Sequence, residues 1–209
     1  TGALLLIAFY LALAQSRGEK TSRGPIIGIG LLLATATVCE YPAALAAIAI
    51  TVYLFLERLR VDGFRRGLID VFVIIAGAVP PFLALATYNT IAFGAPWSIG
   101  YSALPSAMFS EGMKTGFFGI SLPTPDAMWG ITFGQTRGLF YLAPVLFWAL
   151  IGLLFGALRS SWKREARLAL GIFAMFFLLN ASYRFWNGGA AFGPRHMVPA
   201  LPFLALGLV

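Results

Sequence analysis

Residues 25–56 read PIIGIGLLLATATVCEYPAALAAIAITVYLFL. As one helix at 1.5 Å per residue they would reach about 48 Å, well beyond the ~30 Å hydrocarbon core of a bilayer. The stretch carries a single charged side chain, Glu40, and it stands in the triplet Glu40-Tyr41-Pro42. Proline disfavours helix at the residue before it. The stretch therefore divides into two short apolar helices, about 25–39 and 42–57, that go out and return.

Composition points the same way. The chain has 209 residues, is 59% hydrophobic and 11% charged, and has a mean hydropathy of +0.84. A soluble domain has about a quarter of its residues charged, so there is too little charge here to coat a water-facing surface. That excludes an ordinary soluble enzyme, a disordered tail and a nucleic-acid module. One cysteine, Cys39, excludes an intrachain disulfide, and the one histidine, His196, leaves no Cys/His cluster for zinc. No metal or other cofactor is expected, although a divalent ion is left open.

Working outward, Thr1–Gln15 is a short apolar run and Leu68–Tyr88 is a full span, kinked or loosened at Pro80-Pro81. Leu139–Leu158 and Leu168–Tyr183 are further spans, and Val198–Val209 begins a last one. The apolar runs at the ends read as transmembrane helices cut short, as in a piece of a longer protein. The expected fold is all-α: a polytopic transmembrane helical bundle of about six to seven spans, counting two short helices and two truncated ends, in one domain over residues 1–209. Residues 89–138, rich in Gly, Pro, Ser and aromatics, are expected to be an extracytoplasmic loop with one or two short helices; a loop of this length in a compact protein is usually functional or disordered, and the aromatics argue for order.

The net charge of +7 tests this topology. In a soluble protein such a charge suggests nucleic acid. Here eleven cations fall in three short gaps: Arg17, Lys20 and Arg23; Arg58, Arg60, Arg65 and Arg66; Arg159, Lys163, Arg164 and Arg167. Four, Lys114, Arg137, Arg184 and Arg195, fall in the remaining gaps. Cytoplasmic loops carry the excess of Lys and Arg, so the three rich gaps are placed inside. The Glu40 turn, residues 89–138 and residues 185–196 are placed outside, in an integral membrane protein.

The outer face collects the unusual residues. Phe185-Trp186-Asn187-Gly188-Gly189-Ala190-Ala191-Phe192-Gly193-Pro194-Arg195-His196 is the most distinctive stretch. Its glycines allow close approach of a ligand, and Arg195 with His196 suits a phosphate. The alternative is an interfacial loop anchored by Trp186 and Phe192, with Arg195 reaching lipid headgroups. Arg137, just before a span, is a second candidate phosphate ligand or a headgroup contact. Glu40 is a base, a metal ligand, a partner for Arg184 or Arg195, or a helix-end carboxylate on backbone N–H groups. Tyr41, Asn89 and Asn187 complete a candidate polar set, with Asn89 closing a helix C-terminus. Asp126 reads as a helix cap, Glu111 and Lys114 as a solvated pair, and Asp70 as the i,i+4 partner of Arg66. Asn180 and Ser182 are expected to bond between helices. No metal motif, P-loop, nucleophile elbow or dinucleotide fingerprint is present.

Three stretches resemble bacterial polytopic membrane proteins of the GT-C glycosyltransferase superfamily, relatives of the dolichyl-phosphate-mannose–protein mannosyltransferases. The first is Glu40-Tyr41-Pro42-Ala43. The second is Tyr88-Asn89, then Phe93-Gly94-Ala95-Pro96 and Gly100-Tyr101. The third is Arg137-Gly138-Leu139-Phe140-Tyr141 with Pro144, followed by Asn180-Ala181-Ser182-Tyr183, Trp186 through His196 and Pro199-Ala200-Leu201-Pro202. The resemblance implies a multi-helix fold with its site at the outer membrane face and a polyprenyl-phosphate-linked sugar as donor. It places the catalytic acid in a first outer loop that has no counterpart here, so no catalytic residue carries over. Arg137, Arg195 and His196 are then the residues expected to face a lipid phosphate, stabilising charge on the leaving group. The rival is a non-catalytic accessory or structural transmembrane subunit of a larger membrane complex. A transporter, which wants broken helices and polar groups at mid-membrane, ranks third.

Overall fold

Helix stops at Cys39 and restarts at Ala43, so the Glu40-Tyr41-Pro42 triplet divides the long apolar stretch as its proline predicts. Glu40 is extended (φ −155°, ψ 106°), and its carbonyl accepts the Ala43 N–H at 2.9 Å. The structure, a computed structural model, describes residues 1–17, 22–98, 111–114, 116, 118–189, 191 and 193–209. Lys20, Gly100-Tyr101, Phe117, Ala190 and Phe192 lie outside the described residues. The chain forms two compact units, Thr1–Trp97 and Ser98–Val209. Among the described residues regular structure is helical, apart from one isolated bridge between Ile120 and Tyr183.

The first unit holds α1 (Gly2–Ser16), α2 (Arg23–Cys39), α3 (Ala43–Val61) and α4 (Phe64–Phe93). Its core is apolar and small-residue rich: Leu5, Ala8, Ala12, Ile26, Ile29, Leu33, Ile50 and Leu54 are buried. The closest approach is between α2 and α4. A Cβ at Gly30 would strike the Ile74 carbonyl, and one at Gly77 would strike the Ile27 carbonyl. Small residues that let helix backbones touch are the usual device where no water drives helices together.

The span expected over Leu68–Tyr88 is longer, 30 residues, and runs helical through Pro80-Pro81. Their missing N–H groups deprive the Ala76 and Gly77 carbonyls of i+4 donors, but a proline φ near −65° is compatible with helix, so the element continues. It ends at Gly94, left-handed at φ 82°, whose N–H bonds the Thr90 carbonyl at 3.0 Å.

Both α4 and α8 (Lys163–Ser182, below) are long and apolar enough to cross a bilayer; α1, α2 and α7 (Val145–Arg159, below) are shorter apolar helices. Only 17% of the α4 apolar window is buried, which separates it from the core helix of a soluble protein. Phe72, Ile75, Phe82, Leu83 and Ile91 all stand exposed. Helical hydroxyls are satisfied internally: Thr35, Thr87 and Thr90 each donate to the carbonyl four residues back at 2.7–2.9 Å, although Thr35 is only half-buried and the other two are exposed. That is the behaviour required where no water is available to a hydroxyl.

The second unit holds α5 (Pro125–Thr132), the single turn α6 (Leu139–Leu142), α7 (Val145–Arg159) and α8 (Lys163–Ser182). A 3₁₀ helix (Arg195–Ala200), α9 (Leu201–Ala205) and a closing 3₁₀ turn (Leu206–Leu208) follow. The basic turn expected at Arg159–Arg167 is shorter than predicted, because Lys163, Arg164 and Arg167 already belong to α8. Arg167 Nε donates to the Ala157 carbonyl at 2.9 Å and so closes the end of α7. The span expected from Val198 is three short helical pieces, with Pro199 inside the first and Pro202 at the start of α9. Its end seats on α7 through Gly207 and Gly152, each of which would drive a Cβ into the other helix's backbone.

At α5 the cap is Thr124, whose hydroxyl accepts the Ala127 N–H at 3.3 Å; Asp126, expected to be the cap, sits inside the first turn. A cap hydrogen bond is worth about 1 kcal/mol and a first-turn carboxylate about half that. Thr124→Ala should therefore speed amide exchange across residues 125–132 about fivefold, and more than Asp126→Ala does. Equal effects would return the cap to Asp126.

Candidate functional site

The second unit builds its site on the C-terminus of α8. Three backbone bonds lace residues 119–124 to that end: Ser121 N–H to the Ser182 carbonyl (2.8 Å), Arg184 N–H to the Gly119 carbonyl (2.8 Å) and Thr124 N–H to the Ala181 carbonyl (3.3 Å). Aromatic rings then close over glycines. Phe185 lies on Gly112 and Trp186 on Gly130, each so near that a Cβ would collide with the ring, and Tyr183 lies close on Gly119, where a Cβ would be a tight contact.

Beyond Trp186 the chain turns through Gly188 (φ 70°) and Gly189 (φ 66°). Two successive left-handed residues are cheap only for glycine. The Asn187 side-chain oxygen accepts the Gly189 N–H at 3.3 Å, so Asn187, expected in a polar site, shapes the turn instead. Both predicted arginines touch this turn. Arg137 Nη2 donates to the Gly189 carbonyl, and the Arg195 stem lies along Gly188, where a Cβ would come within 3.2 Å of Arg195 Cγ. Arg137 and Arg195 are far apart in sequence, and the glycine pair brings them to one loop.

His196 sits next to Arg195 and meets the Tyr183 ring edge-on, centroids 5.3 Å apart. Burial lowers the His196 pKa from its ordinary 6.5, and the Arg195 charge lowers it further. The imidazole is therefore neutral at neutral pH and can take up a proton when an anion arrives. The rim holds two guanidinium groups and one titratable base, a set suited to a phosphate.

Beside the rim lies an open cleft of about 230 Å³, lined by Ser121, Thr124, Ser182, Tyr183, Arg184 and Trp186. No sequence signal singled it out, because its walls are joined only by the backbone lacing. Asn180 and Ser182 are expected to bond between helices; the Ser182 carbonyl instead accepts the Ser121 N–H of a non-helical segment, and the Asn180 amide is buried with neither atom hydrogen-bonded among the described residues.

The remaining candidates belong to the first unit. Glu40 is half-buried at the C-cap of α2, and Tyr41 is 39% exposed in the turn that follows. Asn89 lies inside α4 rather than at its end, buried, with Nδ2 donating to the Pro96 carbonyl at 3.2 Å. It ties the segment after the helix back to its last turns. Asp70 pairs chiefly with Arg58 at 2.8 Å, and only at 3.7 Å with the predicted Arg66. Comparison with protein-family models, curated proteins and solved structures finds no match.

Proposed function

We propose that the chain is a membrane glycosyltransferase-like protein, integral to a bacterial cytoplasmic membrane, whose outer rim holds the phosphate of a polyprenyl-phosphate sugar through Arg137, Arg195 and His196. The observation that supports this reading is the Arg137 bond to the Gly189 carbonyl, one residue along from Gly188, against which the Arg195 stem lies. The GT-C resemblance of the sequence supplies the sugar and the prenyl chain, and the exposed apolar length of α4 supports a bilayer as surroundings. Cations at the start of α8 support it too: Lys163 and Arg164 oppose the helix dipole there, and attraction to anionic headgroups, about 1 kcal/mol per cation, offsets that cost.

The accessory-subunit reading has one observation in its favour. The described residues that form the rim, Arg137, Tyr183, Gly188, Gly189, Arg195 and His196, include no carboxylate to deprotonate an acceptor. Binding is common to both readings and is tested first. In nanodiscs, Arg137→Ala and Arg195→Ala should each weaken polyprenyl-phosphate binding about tenfold, the loss of one charge-assisted bond of about 1.4 kcal/mol. Unchanged affinity in both variants overturns the site. Sugar transfer by the wild-type protein separates enzyme from accessory subunit.

The pH dependence has a definite sign. The bound anion favours charged His196, whose pKa in the free protein lies below 6.5. Binding then takes up a proton, so affinity should rise as pH falls through the pKa of the bound state and level off below that of the free protein. His196→Gln should remove the slope.

A further inference from the structure

Five aromatic rings form a continuous row through the second unit. Trp129 of α5 and its C-cap Phe133 have centroids 5.2 Å apart, Phe133 meets Phe140 of α6 at 5.6 Å, Phe140 meets Phe147 of α7 at 5.6 Å, and Phe147 meets Trp148 at 6.2 Å. Such pairs are favourable contacts, but packing alone does not account for the row, because it lies on the surface. Trp129 is 65% and Trp148 66% exposed, Phe133 and Phe147 are exposed as well, and only Phe140 is buried. Large apolar side chains exposed singly are ordinary, whereas a contiguous patch marks a surface that something covers.

What covers it follows from where the row leads. It runs onto the outer face of α7, where Val145, Leu154, Phe155 and Leu158 are exposed too, and α7 holds no polar side chain before Arg159. A protein partner meets an apolar centre framed by a polar rim; a face that stays apolar to its end suits hydrocarbon. By itself α7 is short for such surroundings, since 15 residues at 1.5 Å cover about 22 Å of the ~30 Å core. The row adds apolar surface beyond Pro144, at the end of α7 away from Arg159. Its outermost ring is a tryptophan, a residue enriched at headgroup level. The charged residue of α5, Asp126, stands in the first turn, at the other end of the helix from Phe133. The opposite face of α5 is held by the protein: Ala127, Gly130 and Ile131 are buried, with Trp186 on Gly130.

We infer that the row Trp129–Phe133–Phe140–Phe147–Trp148 is a lipid-contact surface that seats the C-terminal end of α5 in the bilayer interface. The inference rests on the membrane reading proposed above and adds a depth to it. Phe133 and Phe140 bracket a short loop, closed by the Gly138 N–H on the Gly134 carbonyl, and Arg137 stands in that loop. The row thereby holds Arg137 at the level of the headgroups.

Tryptophan quenching on the full chain in nanodiscs, one copy per disc, tests the row. The Trp129 contribution is the emission of wild type minus that of Trp129→Phe, a variant that keeps a ring in place. It should lose most of its intensity when the disc phosphatidylcholine carries bromine at shallow acyl positions, and little to aqueous acrylamide. Ile75 is exposed on α4, and Ile75→Trp in the Trp129→Phe background supplies a second probe, whose added emission should be quenched by bromine at deep acyl positions. If the Ile75→Trp probe is quenched by bromolipid while Trp129 is open to acrylamide, or shielded from both reagents, the row does not lie in lipid and the inference is overturned, while the membrane reading stands. If neither position is quenched by either bromolipid, the membrane reading falls and takes the inference with it.

Discussion

Gly30→Ala should unfold the first unit, whereas Gly28→Ala, two residues away on the same helix, should stabilise it. At Gly28 a Cβ meets nothing within 4 Å, so the substitution removes only the entropy cost of glycine in a helix, a gain of up to about 1 kcal/mol. At Gly30 the same methyl enters the Ile74 backbone carbonyl of α4. A side chain could rotate away; a carbonyl inside a helix cannot. Relief requires α2 and α4 to separate along their contact, at about 3 kcal/mol or more, the upper end of overpacking costs. Gly77→Ala should behave like Gly30→Ala, since it meets the Ile27 carbonyl from the other side. Thermal unfolding in one detergent, with all three variants side by side, gives the answer. If Gly30→Ala is as stable as Gly28→Ala, the two helices are not in backbone contact.

That contrast also shows how far the residues alone could be read. Both glycines stand in one Gly-x-Gly run, and nothing local tells them apart. Only the arrival of α4 does. Element existence was legible because its signals are local: Pro42 in the Glu40 triplet ended one helix, and the cation-rich stretch from Arg58 to Arg66 marked the break between two others, which falls at Asp62-Gly63. Element ends were less so. Pro80-Pro81 read as a kink, yet α4 continues through both, since proline's φ is a helical φ and the loss is confined to two hydrogen bonds. Thr124 and Asp126 are both plausible caps within one short turn, and only the bond to Ala127 decides between them.

For the site, types of residue were legible and partners were not. Arg137, Arg195 and His196 stood out as cations and a base near the ends of apolar runs. The contacts of Arg137 and Arg195 with Gly189 and Gly188 depend on two left-handed residues far along the chain from Arg137. The cleft was invisible for the same reason: Ser121 and Ser182 are ordinary serines until a backbone bond joins their segments. Asn180 shows the reverse error. A polar residue on an apolar helix suggests a neighbouring helix as partner, and its amide has none among the described residues.

Asp70→Leu should be among the most damaging single substitutions in the first unit. Asp70 and Arg58 pair at 2.8 Å with side chains only 3% exposed, and Arg58 also donates to Asp62 at 2.9 Å. Removing Asp70 leaves a buried guanidinium with one carboxylate, and Asp62 is 37% exposed and therefore well screened. Stranding one half of a buried pair costs about 3–5 kcal/mol. Arg58 Nη2 already lacks a partner among the described residues, so the charge has no reserve bond to fall back on. Asp62→Ala, by contrast, should cost under about 1 kcal/mol, as exposed pairs do. The double variant Arg58→Met/Asp70→Leu removes both charges and fills the space with apolar atoms, so it should recover most of the loss; exchange of a buried ion pair for packed hydrophobic groups is often neutral or better. A double-mutant cycle read by thermal unfolding distinguishes these cases. Were Asp70→Leu no worse than Asp62→Ala, or the double variant worse than Asp70→Leu alone, the two helices would not be joined by a buried ion pair, and Asp70 would revert to the exposed partner of Arg66 that its i,i+4 spacing suggests.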